Sequence, residues 1–203
     1  MGNPLRQTRL LTVAEWLQIE DHSEIRHEYY QGGIFDMAGA TVKHSEITFN
    51  ITAELKKYMR PKGYLVVHES VKLEVVEGRH YTYPDVMLSC APEDLLTDYY
   101  ILKRPVVLIE VLSKSTEVTD RTFKWERYQQ LPSLMHYLLV SQDRHSVDMF
   151  TRANHPFWTY SHYSKLDEAI ELTHVGHTLR MADIYANIEV GPEEPMNTDG
   201  NDQ

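Results

Sequence analysis

Cysteine is nearly missing from this chain: Cys90 is the only one. A single thiol excludes an intramolecular disulfide and argues against a thiolate metal cluster, so the expected setting is reducing and cytoplasmic. Apolar runs are short. None approaches the ~20 residues that span a bilayer, and the amino terminus carries no secretory apolar segment, so no membrane partner is expected. No internal repeat is present. Basic residues are also in deficit, with 20 Lys and Arg against 30 Asp and Glu and a net charge of -10. Phosphate affinity comes largely from Lys and Arg, so bulk charge counts against a nucleic-acid partner. Half of the deficit is local, because Glu189, Glu193, Glu194, Asp199 and Asp202 close the chain without a Lys or Arg among them.

What is there is an ordinary globular balance, 42% hydrophobic and 25% charged over 203 residues, enough for one sizeable core. Residues 1–190 are expected to form one domain. Residues 191–203, rich in Pro, Gly, Asn and acids with almost nothing to bury, are expected to be a disordered acidic tail.

Thr12-Val13-Ala14-Glu15 has the capping-box pattern and predicts a helix to about Glu20. Gly32-Gly33 between Ile25–Gln31 and Ile34–Met37 predicts a hairpin. Ile47, Ile51, Leu55 and Tyr58 recur at helical spacing until Pro61-Lys62-Gly63 stops them. Strands are predicted at Tyr64–Glu69, around Val71, Leu73 and Val75, and at Tyr81–Leu88, where Pro84 marks a strand start, an edge or a bulge. Pro92–Arg104 reads as a loop. A helix follows from about Thr119 to Gln130, then strands at Met135–Ser141, Ser146–Arg152 and Phe157–Tyr163, and a short helix near Met181–Asn187. The order predicts an α/β fold on a mixed sheet with helices on each side.

Two carboxylates stand where carboxylates are costly. Glu110 interrupts Val106-Val107-Leu108-Ile109-Glu110-Val111-Leu112, a run that reads as a central strand buried on both faces. Asp85 lies in Tyr83-Pro84-Asp85-Val86-Met87-Leu88. An unpaired buried carboxylate costs several kcal/mol or more, so a cation should meet Glu110, and Asp85 is placed to share it. A divalent metal is one answer; a buried salt bridge with a neighbouring Arg or Lys is the other. Asp120, Lys124 and Tyr128, four apart after the Glu110 strand, share one helix face that Leu131 continues. Lys124 is then either a solvated helix lysine or an amine turned inward, with Asp120 favoured near a helix start by the dipole in either case.

Taken together these residues resemble the PD-(D/E)XK nuclease superfamily and, within it, the Uma-type putative restriction endonuclease family. The resemblance runs from Thr12 to Ile188. It rests on Glu28 through Gly32, His44 opening a helix, Pro84-Asp85-Val86, Ile109-Glu110-Val111-Leu112-Ser113, Ser115-Thr116, Asp120 with Lys124 and Tyr128, and His136-Tyr137-Leu138-Leu139-Val140. It implies a restriction-endonuclease-like mixed β-sheet core flanked by helices, and an endonuclease that hydrolyses phosphodiester bonds in DNA. Leu112 occupies the position of the superfamily's usual lysine, and the resemblance implies a migrated catalytic lysine, Lys124. Gln31 and Gly33 replace acids often found in the hairpin.

Such a site would use Asp85, Glu110 and the carbonyl of Val111 as hard oxygen ligands for Mg²⁺ or Mn²⁺. Lys124 would orient a water or stabilise developing charge. Glu28 and His44 are secondary candidates, a further ligand and a phosphate contact, with His44 equally readable as a plain helix-start residue. A homodimer suits two-strand cutting. Two alternatives stay open: a non-catalytic interaction module on a nuclease-derived fold, which the acidic charge and Leu112 favour, and a phosphohydrolase acting on nucleotides or RNA. Weaker signals read as structure. His174-Val175-Gly176-His177 is a turn between strands rather than zinc ligands, and Phe157, Trp158, Tyr160 and Tyr163 are core or a dimer surface rather than a base-stacking platform. Ser113-Lys114-Ser115-Thr116 is a polar connection that could touch phosphate.

Overall fold

The computed structural model describes residues 9–37, 39–96, 100–154 and 156–191. The expected tail lies outside them except for Gly191, which forms a bridge with Arg144 instead of belonging to a disordered segment.

Helix α1 (Val13–Glu20) opens on the anticipated capping box, with Glu15 N donating to the Thr12 hydroxyl and Thr12 N to Glu15 at 2.8 Å. The hairpin joins β1 (His27–Tyr30) to β2 (Gly33–Asp36). Its turn sits one residue earlier than the two glycines suggest. Gln31 and Gly32 take the left-handed conformation at φ 49° and 91°, while Gly33 already belongs to β2. At Gly32 a side chain would also meet Leu10 Cβ at 2.7 Å.

Helix α2 (Val42–Met59) begins where the Thr41 hydroxyl accepts from His44 N at 3.1 Å. It buries Ile47, Ile51, Leu55 and Met59, each a turn apart. Met59 takes the inward place expected for Tyr58, which is 43% exposed.

Strands β3 (Leu65–His68), β4 (Lys72–Val76), β5 (His80–Thr82), β6 (Val86–Ser89), β7 (Ile101–Leu102) and β8 (Val107–Leu112) follow. The single strand expected over Tyr81–Leu88 is two strands in different sheets, because Tyr83-Pro84-Asp85 carries the chain from one sheet to the other. The expected loop after Pro92 contains β7, which pairs parallel to β4. A helical stretch then runs through α3 (Glu117–Thr119), a π-helical turn (Asp120–Lys124) and α4 (Trp125–Tyr128). After β9 (His136–Ser141), β10 (Val147–Arg152) and β11 (Trp158–Tyr163) comes a hairpin, β12 (Ala169–Leu172) with β13 (His177–Arg180), whose turn was expected but whose strands were not delimited, and then α5 (Met181–Ile184).

Among the described residues the single mixed sheet of the sequence reading is three sheets. One has the order β2-β1-β5-β4-β7, one β11-β10-β9-β8-β6-β3, and the last is the β12-β13 pair. In the six-stranded sheet only β8 and β9 run parallel. Strand β8 is buried along its whole length, which is why it reads as a continuous apolar run. Val107, Ile109 and Val111 join the core under α2, and Leu108 and Leu112 join the core under the 117–128 stretch. Glu110 shares the second face by the two-residue period of a strand. The five-stranded sheet packs Tyr29 and Tyr81 against Trp16 of α1. Its other face turns Glu28, Tyr30 and His80 toward Lys124, Phe123 and Arg127. The 117–128 stretch is therefore held between the two sheets.

Candidate active site

A cavity of about 890 Å³ opens where the two sheets and the start of α2 meet. Its lining includes Glu28, His44, Asp85, Glu110, Val111, Asp120 and Lys124, all singled out in the sequence. Tyr128 stands just behind it.

Register explains why the two carboxylates converge. Val86 pairs with Ile109 across antiparallel β6 and β8, and one further step of that ladder sets Asp85 opposite Glu110. Asp85 Oδ2 accepts from Val111 N at 2.6 Å and lies 3.2 Å from His44 Nε2. Glu110 Oε1 accepts from Lys124 Nζ at 3.1 Å and from the Tyr128 hydroxyl at 2.8 Å. Each acid thus anchors one oxygen. Asp85 Oδ1 and Glu110 Oε2 make no hydrogen bond among the described residues.

Lys124 is the hub. Its amine lies 2.9 Å from Asp120 Oδ1, 3.1 Å from Glu110 Oε1 and 3.6 Å from Glu28 Oε1, so it ties the two sheets together. The sequence reading that turned Lys124 inward is the one realised: its side chain is 10% exposed. Asp120 is almost wholly buried, and its Oδ2 has no hydrogen-bond partner. Glu28 is steadied by the Thr82 hydroxyl, a contact the sequence reading missed. Thr82 and Glu28 lie on the same face of adjacent strands, a relation visible only once β1 and β5 are paired.

Three carboxylates around one ammonium, with Asp85 beside Glu110, set the electrostatics. Burial pushes the Glu110 carboxyl well above its ordinary range, and Asp120 and Asp85 add to that while Lys124 opposes it. For Lys124, burial acts to lower the pKa but Asp120, Glu110 and Glu28 outweigh it, so the amine is held well above its usual value and stays charged. Glu28 is lowered, because Lys124 and Thr82 overcome the cost of its burial. His44 is raised, because Asp85 overcomes its burial and favours the imidazolium.

The donor set is oxygen-only apart from His44, negative charge is in excess, and two anchored carboxylates each present a free oxygen. Those features fit a hard divalent cation. Among the described residues no group of three His, Cys, Asp or Glu side chains is arranged to hold a metal unaided. Mg²⁺ characteristically uses one or two carboxylates and fills the rest of its shell with water and substrate phosphate, so Asp85, Glu110 and the Val111 carbonyl remain an adequate set.

The rim adds residues that sequence reading passed over, including Glu69, Tyr83 and Gln142, whose side chain accepts from the Thr41 hydroxyl at 2.5 Å. Gln142 had a readable signal, since it follows the carboxyl end of β9, parallel to β8, where ligands of α/β sheets gather. Ser113-Lys114-Ser115-Thr116 also lines the cavity. The other weak signals fall outside it. His174 lies within the 3-10 turn (Thr173–Val175) of the β12–β13 hairpin and His177 opens β13, the turn between strands that was expected. Trp158 packs on Trp125 at 5.0 Å, whereas Phe157 and Tyr160 are exposed.

Residues 13–182 match the family described as Uma2, Putative restriction endonuclease. The chain is 30% identical over 178 residues to the uncharacterized protein slr1290 of Synechocystis sp., covering 88% of this chain and 93% of that one. It is 33% identical over 153 residues to the uncharacterized protein sll1609 of the same organism, covering 74% and 86%. The crystal structure of a putative nuclease belonging to DUF820 from Anabaena variabilis superposes with a TM-score of 0.70 at 19% identity, covering 86% of this chain and 97% of that one. The fold is shared with that protein.

Proposed function

The chain belongs to the Uma2 family of putative restriction endonucleases, and from that membership we propose that it is a metal-dependent endonuclease hydrolysing phosphodiester bonds in DNA. The observation that carries the reading is the pair of anchored carboxylates, Asp85 and Glu110, each with a free oxygen on one cavity beside a buried ammonium.

Asp85, Glu110 and the Val111 carbonyl would hold Mg²⁺ or Mn²⁺. When bound, the ion supplies Lewis-acid polarisation of the scissile phosphate and a more acidic water. The remaining roles follow from the chain's own groups. Tyr128 and Lys124 fix the rotamer of Glu110, and Val111 N with His44 fixes that of Asp85, so little reordering accompanies binding. Lys124 is charged and held well above its usual pKa, which rules it out as a general base in this arrangement. Its role is to donate to the attacking water or to the charge that develops on the phosphate. The His44 imidazolium, paired with Asp85 and lining the same cavity, offers a second positive charge for phosphate.

The test is cleavage of plasmid DNA with Mg²⁺ or Mn²⁺ by wild type, Asp85→Ala and Glu110→Ala. Cutting by wild type alone is expected. Equal cutting by all three proteins, or none by wild type with either ion, overturns the assignment.

A further inference from the structure

A second pocket, about 790 Å³, lies at the far end of α2. It is about 20 Å along that helix from His44, at 1.5 Å per residue, and shares no residue with the first cavity. The sequence Lys56-Lys57-Tyr58-Met59-Arg60-Pro61-Lys62 carries four cations and no acid in a chain of net charge -10. Folding brings Arg180 of β13 to the same place.

These cations are not consumed by structural pairing. The Arg180 side chain, in the pocket lining, makes no hydrogen bond or ion pair among the described residues. Lys57 Nζ stands 3.9 Å from Glu54, a loose contact on a side chain 64% exposed, and 4.6 Å from the centre of the Tyr58 ring. Lys62 is oriented by donating to the Gly176 carbonyl at 2.6 Å. The exposed Tyr58 ring is backed by His177, with centroids 5.2 Å apart and planes inclined by 32°, and His177 Nε2 is buried without a hydrogen-bond partner. Glu54 and Asp183 are the acids of the lining, and they leave the end of α2 with a cation surplus. Cations beside a supported aromatic face match a phosphodiester backbone better than an isolated small anion, since the ring offers a surface for sugar or base.

We infer that the pocket formed by Lys57, Tyr58, Lys62 and Arg180 binds the phosphate backbone of nucleic acid away from the cleavage centre. This rests on the nuclease reading for its ligand. It also answers the charge problem: an acidic protein engages a polyanion through one local basic surface.

The experiment is fluorescence anisotropy of the full chain with a labelled DNA duplex in EDTA across a salt series, with inorganic phosphate titrated separately by calorimetry. Lys57→Ala/Arg180→Ala is expected to weaken duplex binding on the order of 10–100-fold near 0.1 M salt and to reduce the slope of log K against log salt by about 2. Arg79→Ala, outside the pocket, serves as the control and should change neither. Should the double variant fold poorly, the single exposed change Lys57→Glu reads the same contact. Unchanged affinity and slope in the pocket variants, or no duplex binding by wild type, overturns the inference. So does phosphate binding that the variants lose while duplex affinity holds, which would make this a small-anion site. Pocket-dependent binding by a protein that cuts nothing sinks the nuclease reading alone; cutting by wild type with pocket variants that bind as tightly sinks this inference alone.

Discussion

Glu110 and Asp148 are acids buried in the same six-stranded sheet with one strand between them, and each receives a cation from the 117–128 stretch, yet they are held in opposite ways. Asp148 Oδ1 accepts from Tyr160 and His162, both at 2.7 Å, and Oδ2 accepts from Arg121 at 2.5 Å. Those partners overcome burial and hold its carboxyl below the ordinary value. Glu110 shares Lys124 with Asp120 and Glu28, keeps one oxygen unbonded, and is pushed up. A buried acid whose neighbours satisfy it is architecture. One surrounded by other acids, with too little positive charge to go round, is a place prepared for something else.

The largest effect expected from that contrast is on cleavage. Glu110→Gln should lose on the order of 10³-fold in rate, the scale for losing one group that stabilises the transition state, while Asp148→Asn should keep its rate at temperatures where it is folded. Equal losses in the plasmid assay would erase the distinction.

Stability should rank them the other way. Asp148→Ala removes the carboxylate shared by Arg121 and His162, leaving Arg121 only Glu117, and should cost about 2–4 kcal/mol in urea unfolding, below the range for a fully buried pair because both partners are about a third exposed. Glu110→Gln, measured without divalent ions, should stay within about 1 kcal/mol of wild type or gain, because it relieves a crowded set of like charges.

Divalent ions sharpen the comparison next. Saturating Mg²⁺ at about 100 times its Kd should raise wild-type stability by about 2.7 kcal/mol. The rise should persist in Asp148→Asn and vanish in Asp85→Asn/Glu110→Gln when Tm is followed with and without the ion.

The smallest effect is on pH dependence, where two histidines carry opposite signs. His136 is held down to about 4 by burial and by His174. Between about 6.5 and 4 the unfolded chain binds more protons at this group, so its contribution is full above that window and is lost as pH falls. His44 is raised by Asp85, so its contribution is full below its unfolded pKa and fades as pH rises through the folded one. Across Tm measurements from pH 9 to 4.5, His136→Gln should flatten the limb below about pH 6.5 by less than ~1.4 kcal/mol per pH unit, and His44→Gln should flatten the decline above it. The same slope in both variants would refute this assignment.

The candidate residues were legible because their signals are local and costly. An acid inside an apolar strand, a Pro-Asp ahead of another strand, and a lysine one turn from an acid can each be read from neighbours in sequence, and the fold brings them to one cavity. Tertiary pairing was not legible. Nothing local in Tyr81–Leu88 says that its halves join different sheets, although Pro84 marked the break. At the β12–β13 hairpin only the turn was legible, since its single Gly176 lacks the two-glycine signal that delimits the equally short β1 and β2. Tyr58 was placed inward because hydrophobicity alone cannot rank it against Met59, which lies a full turn beyond Leu55.

The wide turn at Asp120–Lys124 carries a further consequence. It contains the slack of a π-helical loop, in which five residues cover about the rotation that four cover at ~100° each in an α-helix. Removing Thr122 should therefore let the segment tighten while Arg121, upstream, keeps hold of Asp148 and Tyr128, downstream, keeps its direction toward Glu110. The coil carries a spare residue, and a shortened version of it should still aim both side chains.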